Sequence, residues 1–314
     1  MRIPDRRSFL KALAGSAVAS GCGQANFAST QSVGVPWSSG TETPRTKAPP
    51  QSTDCHHHIY NSRFPADPKA ALRPPDATVQ DYRLLQKRIG TTRNVVVQPS
   101  TYGVDNRCLL DALQQFGLAA TRGIAVVNSS ISDSELAQLN SAGVRGIRFN
   151  VAGAGTTMFE AIEPLARRIA PLSWHVQINA KPELIAAGAD LWRRLPCPVV
   201  FDHLAHIARP DTQSKAFEAI RDLLRNGRGW VKLSGAYIDS AVGPPTYADR
   251  GAIAKAYVAE APEQLVWGTD WPHPTAKQIP DDALLFDLLA QWVSDAVARN
   301  RVLVDNPARL YGFS

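Results

Sequence analysis

The sequence predicts one (β/α)8 barrel of the TIM type, and three observations carry that prediction. From Thr53 onward, short apolar runs alternate with amphipathic helical stretches, and eight such units fill roughly 260 residues. The apolar runs at 122–127 and 198–201 are continuous rather than alternating, as expected of parallel strands covered by helices. Finally, His56, His58, His203 and Asp270 all fall late in predicted strands, at the end of a barrel where strand termini converge on one mouth. No Gly-x-Gly-x-x-Gly follows any predicted strand, which counts against a doubly wound dinucleotide fold.

Taken in order, residues 1–22 are expected to form an export signal. Arg6-Arg7-Ser8-Phe9-Leu10-Lys11 precedes a short, mildly apolar stretch and resembles a twin-arginine signal, with Asp5 where Ser or Thr is usual. Ala19-Ser20-Gly21-Cys22 resembles a lipobox, so either Cys22 is lipidated or the signal is cut nearby without lipid. Residues 23–52, rich in Ser, Thr, Gln, Gly and Pro, are expected to form a tether, and 53–314 to form the barrel. The expected location is the periplasm, with membrane contact only through the signal or a lipid on Cys22.

Composition narrows the functional classes. Of 314 residues, 44% are hydrophobic and 20% charged, which suits one large globular domain. Half of the +6 formal charge belongs to the first 22 residues, and no basic run remains to track a phosphate backbone. Nucleic acid is therefore excluded as an expected partner. Cys22, Cys55, Cys108 and Cys197 are too scattered for a disulfide framework or a paired-cysteine zinc site.

Strands are predicted at 54–60, 93–98, 122–127, 144–150, 174–179, 198–203, 230–234 and 265–270. The clearest helices are 79–89, 106–116, 133–140, 159–169, 216–224 and 247–261. In the first strand, Asp54-Cys55-His56-His57-His58, alternation puts His56 and His58 on one face and His57 on the other. Two imidazoles on one face can bind a metal or polarise a carbonyl oxygen. Asp202-His203 closes an apolar run, and Trp267-Gly268-Thr269-Asp270 closes another. A carboxylate such as Asp270 at the end of an apolar strand costs free energy unless it is paired or used.

These three anchors resemble the amidohydrolase superfamily, in the branch that includes pyrone-dicarboxylate lactonases, muconolactone hydrolases, sugar-acid lactonases and a lactone isomerase. The likeness covers about residues 53–313 and includes Val97-Gln98-Pro99-Ser100, Arg145-Gly146-Ile147-Arg148-Phe149-Asn150, Val231-Lys232-Leu233-Ser234-Gly235 and Asn306-Pro307-Ala308-Arg309. It implies that His56, His58, His203 and Asp270 are catalytic, and that Arg148 lies near a substrate carboxylate. Pyrone lactonases carry Tyr where this chain has Asn179, Gly-Arg-Pro where it has 204–210, and an Arg where it has Ser234-Gly235-Ala236-Tyr237. Two carboxylates need several guanidiniums. A lactone with one carboxylate, or a neutral hydroxylated one, is therefore expected.

The expected chemistry is hydrolysis of a small lactone. Asp270 is the general base, and His56, His58 and His203 surround the carbonyl oxygen. Ser100 and Tyr102 are candidates to bond ring oxygens; Asn179, Tyr237 and His273 are candidates to shape the pocket. A binuclear centre is not expected, because strand four lacks a bridging group and His175 starts strand five. Either no cofactor or one divalent metal remains, with zinc on His56, His58 and Asp270 the expected form. The rival readings are a lactone isomerase using the same residues and a catalytically silent binding lipoprotein.

Overall fold

The computed structural model describes residues 34–151, 157–207 and 214–314. Arg6, Arg7 and Cys22, which carry the export and lipidation expectations, lie outside the described residues. Eight parallel strands follow one another around a nearly closed barrel, consistent with the TIM type. They are β1 (Thr53–His57), β2 (Arg93–Val97), β3 (Thr121–Ala125), β4 (Val144–Asn150), β5 (His175–Asn179), β6 (Val199–Phe201), β7 (Gly229–Leu233) and β8 (Leu265–Trp267). Just beyond β8, the Asp270 amide donates to His56 O at 2.7 Å and the His58 amide to Trp271 O at 2.8 Å. These bonds bring the last strand back to the first.

Helices cover the outside wherever the sequence alternates apolar and polar residues at helical spacing. Those expected recur at Val79–Ile89, Arg107–Phe116, Asp133–Ser141, Lys215–Arg225 and Ala248–Glu260. Two begin with capping boxes, Thr78 with Asp81 and Ser132 with Glu135, which satisfy free amides of the first turn. The helix expected over 159–169 is instead Thr157–Glu160 followed by Ile162–Ile169. After β8 the sheet is covered by Asp282–Trp292, and the chain ends in Asn306–Tyr311. Inside the barrel, Cys55, Val95, Val97, Ile124, Val200, Trp230 and Val266 form an apolar cluster that includes Tyr311 and Phe313 from the C-terminus. Above it the interior turns polar.

Two expectations need correction. Residues 34–52, expected to belong to the tether, instead pack along the barrel. Trp271 Nε1 donates to Pro36 O at 2.8 Å, and the Arg45 and Thr46 amides donate to the Asp287 carboxylate at 3.0 and 2.7 Å. Arg88 donates from Nε to Glu42 O at 2.8 Å and from Nη1 to Ser38 Oγ at 3.1 Å. A Ser/Pro-rich composition lacks apolar periodicity, but partners elsewhere in the fold satisfy its backbone instead. Strands one, three, six and eight are shorter than expected, ending at His57, Ala125, Phe201 and Trp267. His203 and Asp270 lie past the last ladder bonds, where the backbone turns left-handed at φ 51° and 64°.

Candidate active site

Strand alternation and a register shift between Asp54 and His57 set the first cluster. His56 and His58 face inward with their Nε2 atoms 3.3 Å apart. His57 faces outward, stacks on Tyr82 with ring centroids 3.6 Å apart, and contacts Asn94 Oδ1 at 3.0 Å. Asp54 clasps β1 to the β8 exit by accepting from the Thr269 amide and hydroxyl at 3.0 and 2.6 Å.

Asp270 Oδ1 lies 3.5 Å from His56 Nε2, 3.4 Å from His58 Nε2 and 3.8 Å from His203 Nε2. Its other oxygen accepts from the Tyr237 hydroxyl at 2.6 Å. The four residues expected to be catalytic are thus brought together. His203 begins a turn in which four consecutive residues, His203 through His206, have φ between 51° and 56°. Such backbone costs about 1 kcal/mol or more per residue and collects at functional sites. The turn leaves His203 Nδ1 3.0 Å from Ser234 Oγ and places His206 between Asp239 Oδ2 at 2.8 Å and Asn179 Oδ1 at 2.6 Å.

A cavity of about 390 Å³ opens over this group, walled by His58, His203, Asp270, Arg148, Tyr60 and Ser100 among others. His56 lies beneath and does not line it. Arg148 donates from Nε to Asp202 Oδ2 at 2.9 Å, while its terminal nitrogens make no hydrogen bond among the described residues. Asn179 lines the cavity as expected. Three expected residues do not reach it. Tyr102 exchanges hydrogen bonds with the Asn61 backbone. His273 pairs with Asp282 at 3.0 Å and sets its ring edge against Tyr237, which in turn is bound to Asp270. Loop position alone did not distinguish side chains aimed at the mouth from those tying the loops down.

Beneath the histidines lies a polar layer that sequence reasoning missed. Asp202, Gln177 and Lys232 are fully buried there. Gln177 donates to Asp202 Oδ2 at 3.1 Å, and Lys232 Nζ donates to Gln177 Oε1 at 2.7 Å and Cys55 O at 2.9 Å. A lysine inside the apolar run Trp230-Val231-Lys232-Leu233 was the available signal, since an unpaired charge is costly there.

Burial opposes ionisation of Asp270, but the imidazoles, His203 foremost, outweigh it and hold the carboxyl well below the usual range. Burial likewise opposes the charge on Asp202, yet His56, Lys232 and Arg148 together hold it well below the usual range. Burial pushes His203 down to about 4, against the pull of Asp270. Burial and then the Lys232 charge push His56 well below its ordinary value. Burial lowers Lys232 to about 8. At neutral pH the site therefore holds ionised carboxylates beside neutral His56 and His203, an arrangement suited to moving a proton between water and substrate.

Among the described residues, two groups have ligand atoms close enough to hold an ion: His56, His58 and Asp270, and His56, Asp202 and His203. Both require His56. Lys232 Nζ, which only donates, faces His56 Nδ1 at 3.3 Å, an arrangement that does not suit a cation bound through His56. His175 is buried at the start of β5 and edges onto Tyr311, far from the mouth as expected.

Comparison with known proteins gives the barrel a family. The family model described as amidohydrolase matches residues 53–313. A 2-pyrone-4,6-dicarboxylate hydrolase of Comamonas testosteroni is 37% identical over 88% of this chain and 94% of its own. A D-galactarolactone isomerase of Agrobacterium fabrum is 29% identical over 88% of this chain and 96% of its own. A crystal structure of a probable 2-pyrone-4,6-dicarboxylic acid hydrolase from Acinetobacter baumannii, with citric acid bound, has a TM-score of 0.74. It is 26% identical and covers 84% of this chain and 100% of its own. On a match that spans the whole barrel, the chain belongs to the amidohydrolase family.

Proposed function

We propose that this protein is a hydrolase that opens a small carboxylated or hydroxylated lactone, of the pyrone, muconolactone or sugar-acid class. The observation that carries the proposal is the cavity wall, where an ionised Asp270, neutral His203 and the unbonded edge of Arg148 face one space. Among the described residues of that wall, Arg148 is the one arginine or lysine. One fixed guanidinium favours a substrate with one carboxylate over a dicarboxylate.

Arg148 holds the carboxylate through its terminal nitrogens, with Ser100 and Asn179 available to hydroxyls. Asp270, steadied by Tyr237, takes a proton from water as the water oxygen adds to the lactone carbonyl carbon. Hydrogen-bond donors on the wall, with His203 Nε2 placed to be one, receive the negative charge that develops on the carbonyl oxygen. The ring C–O bond then breaks, and Asp270 returns its proton to the leaving oxygen. The products are one hydroxyl and one carboxyl group. No step uses a metal, because Lys232 faces the nitrogen of His56 that must stay free of hydrogen if its other nitrogen carries one. Zinc on His56, His58 and Asp270 is the competing form of the site. The twin-arginine-like start supports export to the periplasm, and Cys22 supports a lipid anchor there.

The isomerase relative supports a second reading, in which a substrate hydroxyl replaces water as the nucleophile. A panel of lactones, incubated with and without a chelator and followed by product analysis, tests both. The expected product is the free hydroxy acid, at a rate the chelator leaves unchanged. A shifted lactone would replace hydrolysis with isomerisation, turnover lost to the chelator would restore the metal, and no turnover of any lactone would overturn the proposal.

A further inference from the structure

Lys232 sits near the middle of β7 and is fully buried, yet the steps above give it no direct part. Three acceptors surround its Nζ: Gln177 Oε1 at 2.7 Å, Cys55 O at 2.9 Å and His56 Nδ1 at 3.3 Å. An ammonium has three hydrogens and no lone pair, so each hydrogen has a target and His56 Nδ1 must accept. Asp202 Oδ1, 3.6 Å away, supplies the opposite charge.

The far end of the histidine pair is fixed independently. His58 Nδ1 lies 2.8 Å from Val97 O. A carbonyl oxygen only accepts, so this nitrogen bears a hydrogen. His56 Nε2 is 3.3 Å from His58 Nε2 and 3.5 Å from Asp270 Oδ1. The carboxylate calls for a hydrogen on His56 Nε2, which is where a neutral ring must carry it once Nδ1 accepts from Lys232. The opposite tautomer would point Nδ1–H at Asp202 Oδ1, 3.3 Å away. That contact competes with Lys232 for the ring nitrogen, and the ammonium, which has no lone pair to accept a ring hydrogen, decides it. The contacts thus run in one direction, from Lys232 through His56 to Asp270.

We propose that Lys232 is a positioning residue that locks His56 in its Nε2–H tautomer, aiming that hydrogen at Asp270 and closing the nitrogen to a metal ion. The effect on rate rests on the reading of Asp270 as the base; the tautomer itself does not. A divalent ion on His56, His58 and Asp270 needs the Nε2 lone pair that this hydrogen occupies. Without Lys232, the ring is free to turn its hydrogen toward Asp202. That would create the carboxylate–histidine pair that prepares an imidazole for a metal.

The test is 15N spectroscopy of histidine-labelled full-length protein, with zinc titrations of the wild type and Lys232→Met. In the wild type, His56 should show a protonated Nε2 and a bare Nδ1. In Lys232→Met the two should exchange, and zinc affinity should rise about 10- to 100-fold, the range over which outer partners tune metal sites. A protonated Nδ1 in the wild type would overturn the proposal, as would a folded Lys232→Met with wild-type zinc affinity. The wild-type spectrum decides the matter even where Lys232→Met fails to fold. It needs no substrate, so failure to turn over lactones would strike the proposed function and leave the tautomer assignment standing.

Discussion

Several imidazoles are held uncharged inside this protein, and lowering the pH from 7 to 5 should therefore cost it much of its stability. Burial brings His57 and His175 to about 3, and His203 to about 4, from an ordinary 6.5. Below 6.5 the unfolded chain takes up protons at these sites while the native protein does not. Stability then falls by about 1.4 kcal/mol per pH unit per site. By pH 5 each has lost about 2 kcal/mol, or about 6 kcal/mol for the three together. His56, also pushed down by burial, adds in the same direction.

Asp54 works the other way. Burial raises it from 3.8 to about 6, so the native state takes up its proton first on acidification. That returns about 1.4 kcal/mol by pH 5. A net loss of about 5 kcal/mol is comparable to the whole stability of many domains. Urea unfolding followed by tryptophan fluorescence at pH 7, 6 and 5 measures it. His175 has both ring nitrogens unpartnered among the described residues, so His175→Leu should recover about 2 kcal/mol of the loss at pH 5. Equal stability at pH 7 and pH 5, within about 1 kcal/mol, would refute the neutral-imidazole account.

Asp270→Asn keeps the shape of the side chain and removes the proton acceptor, so kcat should fall by about 10²- to 10⁴-fold with substrate affinity preserved. Steady-state kinetics and direct binding, read together, check that split. Tyr237→Phe removes the 2.6 Å bond that orients Asp270 Oδ2, and should lower kcat by roughly 10-fold, as expected for a lost charged hydrogen bond. A Cβ on Gly146 would lie 2.8 Å from both His175 Nε2 and His175 O, and backbone cannot step aside. Gly146→Ala should therefore cost about 1–3 kcal/mol, measured as a lower urea midpoint. On the proposed export and lipid anchor, Arg6→Lys with Arg7→Lys should leave unprocessed protein in the cytoplasm, and Cys22→Ala should release the protein from membranes, both read by fractionation.

The barrel was legible because its signals are periodic and repeated. Continuous apolar runs such as Val95-Val96-Val97 say parallel strand, and strand alternation alone separated His56 and His58 from His57. Convergence of His203 and Asp270 followed from strand order. Their exact placement did not, because both stand in left-handed backbone just outside the sheet, and no pattern in their neighbours marks it. Tyr102 and His273 bond to the Asn61 backbone and Asp282 rather than lining the cavity, because a loop at the mouth contains residues that serve the loop as well as residues that serve the cavity. Lys232 and Gln177 were overlooked for the converse reason. Each lies within a strand, where interior polarity reads as noise until the packing shows that the two are hydrogen-bonded to each other.

The turn from His203 to His206 is strained backbone kept in place by the core beneath it. Leu204 and Ala205 hold φ of 56° without the freedom of glycine, while their side chains are buried in the core. Glycine would relax about 1 kcal/mol of strain at either position, but at Leu204 it would give up a buried side chain worth about 2–5 kcal/mol. Selection for heat resistance therefore has reason to keep Leu204 in its strained turn. Directed evolution that selects for temperature and turnover together should leave this turn untouched and gain its stability elsewhere, away from the mouth.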